Sequence, residues 1–325
     1  MRFSRRLFVL STFLVSTVAS GTAAAQTYPS RPLRIVVPFA AGAGVLDIMA
    51  RLVGQHLGQA LGQQVVIDNR PGAGGIVGAE VVARAEPDGY TLLMGNSALM
   101  VSPYLYARLS FDPLTDFVPV TMVNSAPLLL VVNPSVPVQS VQELIAYAKA
   151  RPGQLNYGSG GVGSTPYLAT ELLKSMTGID VVHVPYKGGA PALADLMAGQ
   201  LTFMIENVPG TLPLVKSGKL RALAITSAHR SALAPDVPTM AEAGVTGYEM
   251  VGWNGIFVAK STPLAIVARL AAELGKVLAL PDVKEQMTAM GAEAGGDTPQ
   301  AFSAFVNAES TRWGRIIKQI GIRPE

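Results

Sequence analysis

The chain has 325 residues, 49% of them apolar, with 25 Lys and Arg against 22 Asp and Glu, 3 His and no Cys. Without cysteine there can be no disulfide, thiolate metal site or cysteine nucleophile. Arg2, Arg5 and Arg6 lie within the first 25 residues, which hold no acid, so loss of that stretch leaves 22 basic against 22 acidic groups and no basic surplus to attract nucleic acid or an anionic membrane.

Those 25 residues read as an export label. A basic start, a mostly apolar run over 7–18 and the small residues Ala23, Ala24 and Ala25 predict a signal peptide over 1–25, with the mature protein beginning near Gln26. The run is too short and too rich in Ser and Thr to span a bilayer. No later stretch offers about 18 uninterrupted apolar residues, so no stable membrane insertion is expected. Ser4-Arg5-Arg6-Leu7-Phe8 fits the twin-arginine pattern as well as an ordinary Sec signal. Both routes end in the periplasm, and no cysteine follows the small residues to carry a lipid anchor.

In the mature chain, short β-branched runs alternate with amphipathic helices. Strands are predicted at 33–37, 65–68 and 91–94, with a helix opening at Asp47, read as its cap, and another between PGAGG at 71–75 and Ala83. The pattern restarts at 124–127: strands at 128–132, 155–157, 181–184, 201–205 and 221–226 alternate with helices at 141–150, 166–176 and 190–197. A strand at 255–258 and helices at 263–279, 281–290 and 299–318 close the chain. This alternation is the signature of βαβ units on a parallel sheet, and the length suggests two domains. The second unit is flanked by pieces of the first. Domain I is therefore expected to be discontinuous, 26–125 with 250–325, and domain II to be 126–249. In such sheets the loops at the carboxyl ends of strands meet the ligand, and two lobes facing each other enclose a cleft.

Catalytic signatures are missing. No G-x-S-x-G elbow occurs, since Tyr157 precedes Ser159 and Val162 precedes Ser164 by two residues. His56, His183 and His229 share no metal-ligand spacing, and each reads as structural or superficial. Asp47, Asp68, Glu206 and Asp236 lie near loops but form no acid pair at helical spacing. GSGGVGS at 158–164 only approximates a dinucleotide fingerprint, with Asp180 as its one conceivable ribose partner. No catalytic residue, metal or cofactor is expected.

The glycine-rich loops make better sense as anion cradles, because glycine lets successive amides point inward and the following helix adds its positive end. Ser159, Ser164 and Thr165 can add hydroxyl donors, or Ser164 or Thr165 can simply cap the helix. On the other lobe, Phe39, Ala40, Ala41 and Gly42 offer small side chains, free amides and one aromatic wall, although Phe39 also suits core packing at a strand end. Asn96 and Ser97, and Glu206 and Asn207, follow strands where ligand contacts are expected, or else they are turn residues.

Six stretches carry a family resemblance: YPSRPLRIVVPFAAG, VVIDNRPGAGG, EPDGYTLLMGN, LNYGSGGVGS, VPYKGGAPALADLMAGQ and GKLRALAITSAHRSALAPDVPTMAEAG. In that order they resemble the substrate-binding receptors of tripartite tricarboxylate transporters, also called Bug proteins, over nearly the whole mature chain. The resemblance implies a two-lobed type II periplasmic-binding-protein fold of α/β class with the ligand cleft between lobes. It further implies one ligand carboxylate held by backbone amides and bridging waters, membrane permease subunits as partners, and a monomeric receptor. By motif position Phe39, Ala40, Ala41 and Gly42 belong to the first binding loop and Ser159, Gly163, Ser164 and Thr165 to the opposing one. Ligands of the family include small dicarboxylates, citrate-like acids, acidic amino acids and aromatic carboxylates. Two features depart from the family pattern. The first loop, GAGVLD at 42–47, is one residue longer, and FMIEN at 203–207 has Glu206 where many relatives have Asp.

Overall fold

The computed structural model describes residues 28–42 and 45–321. The signal peptide and its cleavage site lie outside them. In chain order the elements are β1 (Leu33–Val37), α1 (Val45–Leu61), β2 (Val65–Asn69), α2 (Ile76–Ala83), β3 (Thr91–Asn96), α3 (Ser97–Leu105), β4 (Phe117–Val132), α4 (Val141–Lys149), β5 (Asn156–Ser159) and α5 (Thr165–Thr177). There follow β6 (Val182–Pro185), α6 (Gly189–Met197), β7 (Phe203–Asn207), α7 (Val208–Lys216), β8 (Arg221–Ile225), β9 (Val251–Ala259), α8 (Leu264–Ala279), α9 (Pro281–Ala289), β10 (Glu293–Ala294) and α10 (Pro299–Ile320).

Two sheet segments share one long strand, and the fold is two-lobed. In the first segment β1 lies parallel between β2 and β3, with Ile35 facing Ile67 and Leu92, and β9 runs antiparallel between β3 and the opening two-thirds of β4. In the second, the last five residues of β4 pair antiparallel with β7 and the last four with β8, while β5 runs parallel to β6 and β7. Each segment is buried on both faces, which is why its strands read as continuous apolar runs. Ile35 and Val37 enter one core cluster and Val36 the opposite one; Leu128, Leu130 and Val132 likewise separate from Leu129 and Val131.

Four pieces escaped the periodicity. The strand expected at 128–132 begins much earlier, at Phe117; Pro119 and Pro127 hide its opening in the sequence, a register shift follows Pro119, and Pro127 pairs in register with Val251. Helix α3 is buried almost all round and contains Pro103, so it has no amphipathic stripe. Helix α7 carries Pro209 in its first turn and Pro213 inside, and β10 is only two residues long. Helix α10 ties the lobes together: Phe302 and Val306 pack beneath the first sheet segment, whereas Trp313 and Ile317 join the core cluster of the second.

Candidate functional site

The first loop is shaped from below by a carboxylate. Asp47 lies in the first turn of α1, two residues inside it, and is therefore not the cap that the sequence suggested. Its side chain is 4% exposed and reaches back to accept from the Gly42 amide at 2.9 Å, from Asn69 Nδ2 at 2.9 Å and from Arg51 Nε at 2.9 Å. Asn69 Nδ2 also donates to the Phe39 carbonyl at 3.0 Å. Burial works to raise the Asp47 carboxyl, but the bonds from Arg51, Asn69 and Gly42 outweigh it and hold the group below the usual carboxylate range.

The opposing loop is braced by neutral groups. Ser159 ends β5 with its Oγ 2.7 Å from His183 Nε2 and accepting from the Gly161 amide at 3.1 Å. His183 stacks on Tyr157, with ring centroids 4.9 Å apart, and burial pushes it down to about 4, so it is uncharged at neutral pH. Ser164 caps α5 by accepting from the Tyr167 amide, and its hydroxyl donates to Gly161 O at 2.7 Å.

Between the loops lies a cavity of about 390 Å³. The first helical residue of α1, Val45, and the capping residues of α3, α5, α6 and α7, namely Asn96, Ser164, Gly188 and Asn207, all line it. Five helix N-termini thus converge on one space, each bringing amides that have no acceptor within their own helix and a partial positive charge. Of the positions singled out in the sequence, Phe39, Gly42, Asn96, Ser164, Thr165, Glu206 and Asn207 line the cavity. Ala40, Ala41, Ser97, Ser159 and Gly163 do not. Ser97 and Ser159 are buried behind the wall, and Gly163 packs against Leu105 of α3. The lobes also meet here: Ser97 Oγ and Thr165 Oγ1 are 2.8 Å apart, and a Cβ on Gly74 would come within 2.8 Å of the Val162 carbonyl.

The sequence reading missed the floor, where Asn124 and Ala126 of β4 and Gly252, Trp253 and Asn254 of β9 line the cavity, Trp253 with its indole packed away from it among Phe257, Phe302 and Phe305. Asn254 Nδ2 donates to Asn124 Oδ1 at 3.0 Å. Two asparagines inside otherwise apolar runs were the available signal. Among the described residues three buried side-chain polar atoms have no hydrogen-bond partner: Asn124 Nδ2, Trp253 Nε1 and Glu206 Oε2. All three belong to residues lining this cavity. No described Arg, Lys or His lines it, and Glu206 is its one ionisable side chain.

The chain matches the family model described as the tripartite tricarboxylate transporter family receptor over residues 49–322. It is a member of that family. The receptor is 38% identical to Protein BugT of Bordetella pertussis over 325 residues, covering 99% of each chain. It superposes on R. palustris Rpa4515 with adipate at a TM-score of 0.88 and 41% identity, covering 92% of this chain and all of that one. For MatC from Rhodopseudomonas palustris with bound malate the TM-score is 0.85 and the identity 34%, over 89% of this chain and all of that one. No helix of the described residues is long and apolar enough to cross a membrane.

Proposed function

We propose that this receptor works in the periplasm, closing on a small organic carboxylate held chiefly by backbone amides and presenting it unchanged to the permease subunits of a transporter. The observation that carries this reading is the convergence of five helix N-termini on a cavity whose described lining has no cationic side chain. A carboxylate there is neutralised by amides and helix ends, the arrangement best suited to a site that must release its ligand as well as bind it. The adipate and malate held by the two structural relatives support the ligand class, and the predicted signal peptide supports export. In this reading 26–125 with 250–325 form one lobe, 126–249 the other, and the chain acts as a monomer; the change of strand partner along β4 supports the division.

The Ser159–His183 contact is the one feature that favours chemistry on the ligand. Ser159 is fully buried, is outside the cavity lining and already holds the Gly161 amide, so it serves as a loop brace. A sensor that shows its closed form to a signalling partner would use the same clamp; transport is separated from sensing by whether deletion of the gene abolishes uptake or transcription.

The test is a thermal-shift screen of refolded, ligand-free protein against dicarboxylates, tricarboxylates, amino acids, aromatic acids and neutral sugars. A ligand at about 100 times its Kd stabilises the fold by ~2.7 kcal/mol, a shift of a few degrees for a chain of this size. Stabilisation by acids alone, with the bound acid recovered intact, supports the receptor. A shift by sugars and by no acid, or conversion of the bound compound, overturns it.

A further inference from the structure

The cavity carries one oxidisable side chain that solvent reaches, and the capture of a carboxylate by backbone amides gives it no task. With no cysteine in the chain, thioethers are the groups that a peroxide attacks first. Seven of the described methionines are at most 1% exposed and Met122 and Met290 are half-buried, whereas Met176 and Met197 stand open at 39% and 36%. Met176 lies on α5 outside the cavity lining. Met197 is the last residue of α6 and the single methionine of that lining. Trp253, also in the lining, is 2% exposed and out of an oxidant's reach.

The surroundings of this sulfur are apolar and held in place. Leu193, one turn earlier on α6, lines the same cavity, as does Ile48 of α1, itself 42% exposed. Asn133 pins the end of α6, donating Nδ2 to the carbonyls of Leu196 at 2.8 Å and of Met197 at 3.0 Å, so the backbone under the sulfur cannot swing away without breaking those bonds. The free groups at a helix C-terminus are carbonyls. They offer no donor to an oxygen added there.

We propose that Met197 is an oxidation site through which peroxides weaken ligand capture. The sulfur lone pair attacks one oxygen of hydrogen peroxide; the S–O bond forms as the O–O bond breaks, and the second oxygen takes up the proton and leaves as water. The thioether loses two electrons and the peroxide gains them. Methionine sulfoxide replaces an apolar group by one with a strongly polar oxygen bearing partial negative charge. Beside Leu193 and Ile48 that oxygen holds water which closure must strip away, and it adds negative charge where an anion is to bind. The inference rests on the carboxylate-receptor reading above for the charge of the ligand.

The test treats refolded, ligand-free receptor with limiting hydrogen peroxide, maps the modified peptides by mass spectrometry, and titrates adipate, malate and whichever acid stabilises the protein most in the screen above, before and after treatment. Met176 and Met197 should gain oxygen before the other methionines, and affinity should fall by about fivefold or more. Methionine sulfoxide reductases should restore it. Met197→Leu, compared with its own untreated form, should lose nothing on treatment, while Met176→Leu should lose as much as the wild type. Untreated Met197→Gln, with a polar side chain of similar length, should bind as weakly as the oxidised protein. Unchanged affinity in protein oxidised at Met197, or a loss that persists in Met197→Leu, would overturn the inference and leave the carboxylate receptor standing. If the untreated protein binds no acid at all, both readings fall.

Discussion

The two loops that face the cavity do the same job with opposite chemistry. Phe39–Gly42 is drawn into shape by an ionised, multiply bonded Asp47 whose partner Arg51 is half in solvent; the loop after β5 is held by an uncharged Ser159–His183 pair sealed under Tyr157 and Tyr167. An anion receptor benefits from this division. The Arg51 partner keeps the buried Asp47 charge balanced beside the first loop, and the glycine-rich loop, proposed above to offer amides to the ligand, rests on groups that add no field of their own. Charge braces one loop and burial the other, so different perturbations should release each.

The largest effect is expected on the charged side. Asp47→Ala leaves the Gly42 amide and Asn69 Nδ2 without their acceptor, and should lower unfolding stability by about 2–3 kcal/mol and weaken carboxylate binding at least tenfold. Arg51→Gln removes only the half-exposed arm and should lose less than about 1 kcal/mol. Equal losses in denaturant melts of the two variants would mean that the brace is an ion pair and not a set of acceptor bonds. On the neutral side, Ser159→Ala strips one partner each from His183 and Gly161 and should lose about 1–2 kcal/mol. Its loss relative to the wild type should be the same at low and high salt, whereas the loss in Arg51→Gln should shrink as salt screens the pair.

Acid separates the loops further. His183 is held neutral, its pKa falling from 6.5 to about 4, so the unfolded chain binds the extra proton first and its contribution to stability, complete above 6.5, is lost as pH drops through 4. Asp47 is shifted below its ordinary 3.8; its contribution is complete above that value and lost only at lower pH. Glu206 acts in the other direction, since a carboxyl raised from 4.5 to about 7 loses stability as pH rises across that window. Difference curves against the wild type cancel Glu206. His183→Gln should alter the melting profile between pH 6.5 and 4, and Asp47→Asn only below about 3.8. A common window for both variants would show the loops to be one cooperative unit.

How much of this was legible follows from what each residue reports to its neighbours in sequence. The βα alternation is a local signal and was read within a few residues at most elements; β7, for example, is 203–207 where 201–205 was expected. Elements stabilised by surroundings, such as α3 with Pro103 and the opening of β4 with Pro119 and Pro127, carry no periodic signal and were not read. In the cavity, residues in glycine-rich loops or directly after strands were visible as candidates. Asn124 and Asn254 were not, because a side chain facing a cavity in the middle of a strand looks like one facing a core; Trp253 was not, because its indole does pack in a core, with Phe257, Phe302 and Phe305. The roles of Ser159 and Ser97 reversed for a related reason: which side of a loop a hydroxyl faces depends on partners far away in sequence, His183 for one and Thr165 for the other.

The smallest expected effect concerns the place where the loops' lobes touch. Ser97 Oγ and Thr165 Oγ1 are both buried and 2.8 Å apart, one at the start of α3 and the other at the start of α5. We predict that this contact forms on closure, in which case deleting it changes the closed state and leaves the open one untouched. Ser97 does not line the cavity, and Ser97→Ala should therefore leave association nearly unchanged. It should speed ligand release by up to about fivefold, the equivalent of ~1 kcal/mol or less for one neutral hydrogen bond. Stopped-flow displacement of a bound carboxylate reads this directly. A slowed association with unchanged release would place the bond before closure, and the two hydroxyls would then be part of each lobe's own packing and not a latch between them.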